Sequence, residues 1–218
     1  MELYKTIAKE VSETQIIEKS RFIAHARPVE TREEAEAFIA GIRTRYKDAT
    51  HNVPAMVLGD RFQIQWASDD GEPQGTSGAP MVHMMVNEGL TNLVIVVTRY
   101  FGGVKLGTGG LVRAYTSSAR MAIDAAGVCS VQEVCRMTFR IDYTYLTKIQ
   151  QLAAEKITGK AREFSISDIS YDDKVNLSVV AIKEAAEPVK ELFANITSGS
   201  AELMDSVRTI EKIQRQNA

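Results

Sequence analysis

Five consecutive aliphatic residues at positions 93–97 are followed by a segment rich in glycine at positions 102–110. An aliphatic run of this length predicts a strand that is buried on both faces. The run is far shorter than the roughly 20 apolar residues that a membrane-spanning helix needs. Because clustered glycines favour turns, the chain is expected to leave the buried strand through a glycine-rich turn at 102–110.

After this turn, apolar residues recur at the spacing of an amphipathic helix, and Gly127 is placed to end that helix. Arg113, Ser117, Arg120 and Asp124 occupy the opposite, outward face. The residues predicted to face inward are Leu111, Val112, Tyr115, Ala119, Ala122 and Ile123.

Further elements are predicted upstream of the buried strand. Residues 5–29 are rich in Ile, Val and Thr and predict a pair of antiparallel strands. Thr31 and Glu34 form a capping box before a helix with an apolar face. Residues 53–66 predict a hairpin, and residues 69–80, rich in Gly and Pro, predict a long loop. The apolar face of the helix consists of Ala35, Phe38, Ile39, Ile42 and Tyr46.

The second half of the chain has a different pattern, with the element order βαββαβ of a ferredoxin-like domain. We therefore predict an α+β protein of two domains, residues 1–133 and 134–218. The predicted strands are 137–143, 164–171, 175–179 and 203–210, and the predicted helices are 146–157, ended by Gly159, and 189–196, ended by Gly199.

Charge and cysteine content limit the classes of function. The chain has 26 basic and 28 acidic residues, a net charge of −2, so any contact with nucleic acid must depend on a local basic patch. The N-terminus has no apolar segment of signal-peptide length, and Cys129 and Cys135 match neither a disulfide framework nor a zinc motif. A cytoplasmic protein without a membrane segment, cofactor or metal is expected.

The glycine-rich segment is the first candidate site. A strand followed by glycines and a helix start directs backbone N–H groups and the positive end of the helix dipole at one place, which suits a phosphate. The alternative is that the glycines serve only the turn and that Lys105 is solvated. The segment matches neither a P-loop nor a dinucleotide-binding motif. The candidate phosphate-binding residues are Arg99, Gly102, Gly103, Lys105, Gly107, Thr108, Gly109, Gly110 and Arg113.

The acidic loop is the second candidate site. Asp69, Asp70 and Glu72, together with His51, could hold a metal or act as general acid and base if the fold brings them together. The alternative is that acidic residues beside Gly and Pro form turns, with side chains that bond local backbone groups. Ser77 lacks the Gly-x-Ser-x-Gly pattern of a nucleophile elbow, which argues against an acyl-transfer enzyme.

Two motifs carry a resemblance to a known family. The stretch Asp-Gly-Glu-Pro-x-Gly-Thr-x-Gly-x-Pro at 70–80 and the stretch Thr-Arg-Tyr-Phe-Gly-Gly-x-Lys-Leu-Gly-x-Gly-Gly-Leu-x-Arg-Ala-Tyr at 98–115 resemble the signature of the YigZ/IMPACT family. Residues 20–24 and 49–52 look like its weaker N-terminal elements.

The resemblance implies a bacterial two-domain form. Its N-terminal domain would be similar to domain IV of elongation factor G, and its C-terminal domain to the last, ferredoxin-like domain of that factor. It further implies a regulator of translation that contacts RNA or the ribosome, or a protein partner in translation control. A metal- or phosphate-dependent hydrolase that uses Asp69, Asp70, Glu72 and His51 remains the alternative, and an interaction module that uses the ferredoxin-like sheet is a third.

Overall fold

A computed structural model describes residues 2–154 and 164–214 of the chain. These residues form two compact units, one built mainly from residues 3–131 and the other mainly from residues 132–211. The protein is a mixed α/β protein, as predicted. The domain boundary between residues 133 and 134 stays a prediction, because one continuous strand, Val128–Ile141, passes through it.

The first unit contains a five-stranded sheet with the strand order β2-β3-β6-β4-β5. Every neighbouring pair in this sheet is antiparallel. The elements of this unit are β1 (Glu2–Ile7), β2 (Val11–Ile17), β3 (Ser20–Pro28), α1 (Arg32–Arg45), β4 (His51–Leu58), β5 (Ile64–Ala67), α2 (Gly78–Asn87), β6 (Leu93–Tyr100) and α3 (Gly107–Ala126).

Strand β6 is the centre of this sheet and is buried on both faces, as the aliphatic run predicts. Leu93, Ile95 and Val97 join the core that includes residues of α2 and α3. Val94 and Val96 point to the other face, where they pack with the apolar residues of α1. The sheet therefore lies between α1 on one side and α2 and α3 on the other.

The N-terminal strands differ in number from the prediction. Residues 2–28 form three strands instead of two, because β1 ends at Ile7 and is separate from the antiparallel pair β2 and β3. Glu18 and Lys19 make a tight turn with positive φ values of 45° and 65°. That turn joins β2 and β3 in register, with Ile17 opposite Ser20. The predicted hairpin at 53–66 is present as β4 and β5, which pair from Ala55 to Leu58.

Helix α1 begins as the capping box predicts. Thr31 Oγ1 accepts a hydrogen bond from the Glu34 amide at 3.2 Å. The Glu34 carboxylate accepts a hydrogen bond from the Glu30 amide at 2.8 Å, one residue earlier than in the standard box.

Two predicted loops are shorter than expected. The loop expected at 69–80 ends at Ser77, because α2 begins at Gly78 and includes Pro80 in its first turn, a position that needs no backbone N–H donor. The glycine turn expected at 102–110 ends at Leu106, because Gly107 to Gly110 already form the first turn of α3. Glycine is an unfavourable helix residue, so the sequence pattern hid this helix start.

The second unit has the ferredoxin-like order that the sequence predicts. Its strands belong to a five-stranded sheet with the order β1-β7-β9-β8, in which β10 also pairs with β7, and β7–β9 and β8–β9 are antiparallel. Helices α4 and α5 contribute Ile149, Val189 and Phe193 to its core. The predicted helix end at Gly159 lies outside the described residues. The elements are β7 (Val128–Ile141), α4 (Tyr143–Ala154), β8 (Ser165–Tyr171), β9 (Val175–Ile182), a 3-10 helix (Lys183–Ala185), α5 (Ala186–Ile196) and β10 (Glu202–Gln214).

Candidate functional site

The N-terminus of α3 is uncapped. Leu106 occupies the N-cap position, and no side chain bonds to the first-turn amides within the residues that the structure describes. Gly107 has a φ of 70°, a conformation that disfavours residues with a Cβ. Gly107, Thr108 and Gly109 are exposed. Since the first N–H groups of a helix have no carbonyl partner inside it, they are available to an anion from outside.

Two cations flank this helix start. Lys105 and Arg113 are exposed, and neither takes part in an ion pair within residues 2–154 and 164–214. The Arg113 side chain extends towards the helix start, since a Cβ on Gly109 would lie 3.8 Å from Arg113 Nη1. The guanidinium therefore adds its positive charge at the N-terminus of α3, where the helix dipole already places a partial positive charge.

Gly102 brings a second segment to this site. A Cβ on Gly102 would overlap the backbone of Lys19 and Ser20. The Gly102 amide also donates to Ser20 Oγ at 3.2 Å. The turn between β2 and β3 is therefore held against the chain where it leaves β6, and the exposed residue Lys19 lies beside Gly102, which is three positions before Lys105.

Arg21 extends the positive charge along the sheet. It is exposed, and its guanidinium lies 4.3 Å from the centre of the Tyr100 ring, a favourable cation–π distance. Two acidic residues are close by: Glu18 in the turn, and Asp48, which accepts a hydrogen bond from the Tyr100 hydroxyl at 3.0 Å. We call Lys19, Arg21, Lys105 and Arg113, with the start of α3, the basic surface.

Arg99 does not belong to this surface. It is 5% exposed and donates to Glu72 Oε1 at 2.7 Å. Tyr115 on α3 donates its hydroxyl to the same carboxylate oxygen at 2.7 Å. Burial and then the hydrogen bond to Glu72 raise the pKa of the Tyr115 hydroxyl. Glu72 thus joins the acidic loop, β6 and α3 through one buried polar cluster.

His51 and Asp70 meet beside this cluster. His51 Nδ1 lies 2.7 Å from the Asp70 carbonyl oxygen; a carbonyl only accepts, so Nδ1 carries a proton and donates. His51 Nε2 is 3.9 Å from Glu72 Oε2. The Asp70 carboxylate accepts from the Asn52 amide at 2.7 Å and from Arg43 at 3.0 Å. The fold therefore brings His51, Asp70 and Glu72 together, with the Asp70 carboxylate already bonded.

Asp69 is a cap for α2. Its carboxylate accepts from the Gly75 amide, the Ser77 amide and hydroxyl, and the Gly78 amide, at 2.7 to 3.1 Å. Burial acts to raise the pKa of Asp69, but these hydrogen bonds outweigh it and hold the pKa below its ordinary value. Asp69 thus satisfies local backbone groups, in line with the turn-forming interpretation of the acidic loop.

Comparisons with known proteins match both parts of the chain. Residues 18–123 match the family model of the Impact N-terminal domain, and residues 139–200 match a domain of unknown function (DUF1949). IMPACT family member YvyE of Bacillus subtilis (strain 168) is 38% identical over 202 residues, which cover 92% of this chain and 90% of the relative. The chain belongs to the IMPACT family.

Other IMPACT proteins show how far the likeness extends. IMPACT family member YigZ of Escherichia coli (strain K12) is 33% identical, over 94% of this chain and 98% of that protein. Protein IMPACT of Mus musculus is 32% identical over 41% of this chain and 29% of its own length. A crystal structure of a hypothetical protein covers 93% of this chain and 97% of its own, with a TM-score of 0.57 and 32% identity.

Both candidate sites of this IMPACT protein lie inside the Impact N-terminal match. Sequence reasoning missed Lys19 and Arg21 as members of the basic surface and Tyr115 as a partner of Glu72. The sequence contains a signal that could have found Lys19. Glu18 and Lys19 separate two short strands, a pattern that indicates a hairpin with Lys19 in its turn. Tyr115 and Glu72 are 43 positions apart, and no local pattern predicts such a contact.

Proposed function

We propose that this IMPACT protein binds structured RNA, on the ribosome or in a related translation complex, through the basic surface. The observation that carries the proposal is the uncapped start of α3 beside the exposed cations Lys105 and Arg113. First-turn amides and the helix dipole stabilise a phosphate, and flexible cations beside them add charge that is not already compensated by an ion pair.

The basic surface suits RNA better than a small anion. Its cations come from the β2–β3 turn, the start of β3, the chain after β6 and helix α3, so they are spread over a surface instead of enclosing a pocket. Spaced cations on a surface fit successive backbone phosphates. Phe101, 46% exposed next to Tyr100, adds an aromatic ring on which an unpaired base can stack.

Arg99 is left out of the proposed contact, because its charge is compensated by Glu72 in the interior. The glycines contribute to the proposed contact through their backbone. Gly102 allows the Lys19 backbone to pack closely against it, and Gly107 to Gly110 provide the backbone amides at the start of α3. Gly103, with a φ of 88°, lets the chain turn between them.

His51, Asp70 and Glu72 lie together, but the carboxylates of the acidic loop are already bonded, which argues against the hydrolase. Asp69 and Asp70 are bonded to backbone amides, and Glu72 is paired with Arg99. Within residues 2–154 and 164–214, no group of three or more His, Cys, Asp or Glu side chains is arranged to hold a metal ion. In the same part of the chain, no helix is long and apolar enough to span a bilayer.

A double substitution tests the proposal. Lys105→Ala with Arg113→Ala removes two cations that would contact phosphates, so we expect binding to purified ribosomes or ribosomal RNA to weaken at least about tenfold at low salt. The matched control is Arg61→Ala with Lys148→Ala, which removes two exposed cations outside the basic surface. Equal affinities for the wild type, the double variant and the control would rule the basic surface out as the contact.

A further inference from the structure

Strand β10 has an outer edge that no described strand covers, and it carries several exposed apolar side chains. It pairs with β7 on one side, and no strand within residues 2–154 and 164–214 pairs with its other side. It runs from Glu202 to Gln214 and contains no proline. The exposed apolar side chains are Leu203 (44% exposed), Met204 (56%), Val207 (50%) and Ile210 (59%).

Such an edge is a template for pairing. A long edge strand presents a row of free N–H and C=O groups, and natural proteins usually protect it with charged side chains, proline, a bulge or a cover. Strand β10 contains charged residues but no proline. Four large apolar residues on one 13-residue strand add side chains that gain from leaving water. The edge therefore favours contact with a strand of another chain.

The sequence of β10 is complementary to itself when the strand is reversed. If Val207 lies opposite its own copy, oppositely charged Glu202 and Lys212 face each other, Met204 faces Ile210, and no like charges meet. Opposite charges and apolar pairs across an antiparallel ladder stabilise it, whereas like charges directly opposite destabilise it. The remaining pairs are Leu203 with Glu211, Asp205 with Thr209 and Ser206 with Arg208.

Neighbouring registers fit less well. A shift of one position in one direction places Glu202 opposite Glu211, and a shift in the other direction places Asp205 opposite Ile210. A shift of two positions places Asp205 opposite either Val207 or Glu211. Each of these registers joins like charges or contains at least three different pairs of a charged and an apolar residue, whereas the register centred on Val207 contains only the pair Leu203 and Glu211.

We propose that β10 pairs antiparallel with β10 of a second copy of this chain, about a two-fold axis at Val207. The two ferredoxin-like sheets then continue into each other across the axis. A symmetric contact of this kind uses one patch twice and closes at the dimer. It is independent of the proposed RNA contact, since it involves none of the residues of the basic surface.

Two cysteine variants of the full chain test both the contact and its register. Val207→Cys places two thiols opposite each other, within the 4.4–6.8 Å Cα separation that a disulfide accepts, since opposed Cα atoms in antiparallel pairs lie about 4.5–5.5 Å apart. Leu203→Cys is the matched control: it is about as exposed, but its two copies are eight positions apart along the ladder, about 27 Å.

Light scattering during size-exclusion chromatography measures the mass of the wild type, and mild oxidation with oxidised glutathione tests the variants. The proposal predicts a wild-type mass twice that of one chain, a disulfide-linked dimer for V207C and none for L203C. The native thiols Cys129 and Cys135 are buried and do not confuse the result. A monomeric wild type, a dimer in which V207C does not link, or equal linking of both variants would overturn the proposal.

Discussion

The buried ion pair with Glu72 determines the structural role of Arg99. In the sequence it follows an aliphatic run and precedes glycines, which made it a candidate phosphate ligand. In the structure it is the last buried residue of β6, paired with Glu72 from a loop 27 positions away. No spacing rule predicts that pairing, because the contact depends on how the loop after β5 folds over the strand.

Removal of the charge of Glu72 tests the role of this ion pair. Glu72→Gln leaves the Arg99 guanidinium buried without a counter-charge, so we expect the free energy of unfolding to fall by about 3–5 kcal/mol in urea denaturation. Glu36→Gln, which breaks the exposed pair with Arg32, should cost less than about 1 kcal/mol. A similar small cost for both variants would show that the buried pair contributes little to stability.

His25 gives a second prediction from a single buried residue. It is 1% exposed, and burial first, then the nearby charge of Arg45, lowers its pKa from 6.5 to about 4. The unfolded chain therefore binds a proton that the folded chain excludes, so its contribution to stability is complete above pH 6.5 and is lost as the pH falls towards 4. The size of this loss is about 3 kcal/mol.

The variant His25→Asn isolates this contribution, since asparagine can still bond Ser12 but does not titrate. Urea denaturation from pH 7.5 to pH 4 should show the wild type losing more stability than the variant. Parallel pH profiles for the two proteins would contradict the low pKa.

At the scale of elements, sequence patterns predict the helices and strands that have a local signal of their own. They miss an element whose start depends on a contact made by a loop. The capping box fixed the start of α1, and the aliphatic run fixed β6 as a doubly buried strand. Helix α2 was missed, since the residues that begin it, Gly78 to Pro80, read as loop. The start of α2 is capped by Asp69, which lies nine positions before Gly78 and accepts a hydrogen bond from its amide. A local sequence pattern does not reveal a cap at that separation.

Asp69→Asn tests whether this carboxylate holds the start of α2. It weakens four hydrogen bonds to one carboxylate, so we expect a loss of about 1–2 kcal/mol in unfolding free energy at pH 7. Because the folded pKa of Asp69 lies below its unfolded value, its contribution is present above about pH 4 and is lost as the pH falls through the folded pKa.

The difference between wild type and D69N should accordingly be largest near neutral pH and shrink on acidification. Asp60→Asn, in the exposed turn before β5, serves as the control with little effect. A difference that does not change with pH would contradict the proposed cap.

At the scale of the whole molecule, the order of elements was predictable and the contact surfaces were not. The βαββαβ order of the second unit followed from periodicity alone, because each strand and helix there has its own apolar pattern. The basic surface combines Lys19, Arg21, Lys105 and Arg113 from distant segments, so it became visible only in the fold. The predicted likeness of the N-terminal unit to domain IV of elongation factor G stays a prediction.

The net charge of −2 means that general attraction does not bring this protein to RNA, so any affinity must come from local phosphate contacts. Such contacts release counterions, and the logarithm of the binding constant then falls linearly with the logarithm of salt concentration. This salt dependence reports the number of phosphates that the protein neutralises.

The most direct measurement is the salt dependence of binding to ribosomal RNA by fluorescence anisotropy, for the wild type, Lys105→Ala with Arg113→Ala, and Arg61→Ala with Lys148→Ala. We expect the slope of the double variant to be shallower than that of the wild type by about 0.7–0.9 for each lost phosphate contact. The control should keep the wild-type slope. Identical slopes for all three proteins, or no binding of the wild type at low salt, would contradict the proposed RNA contact.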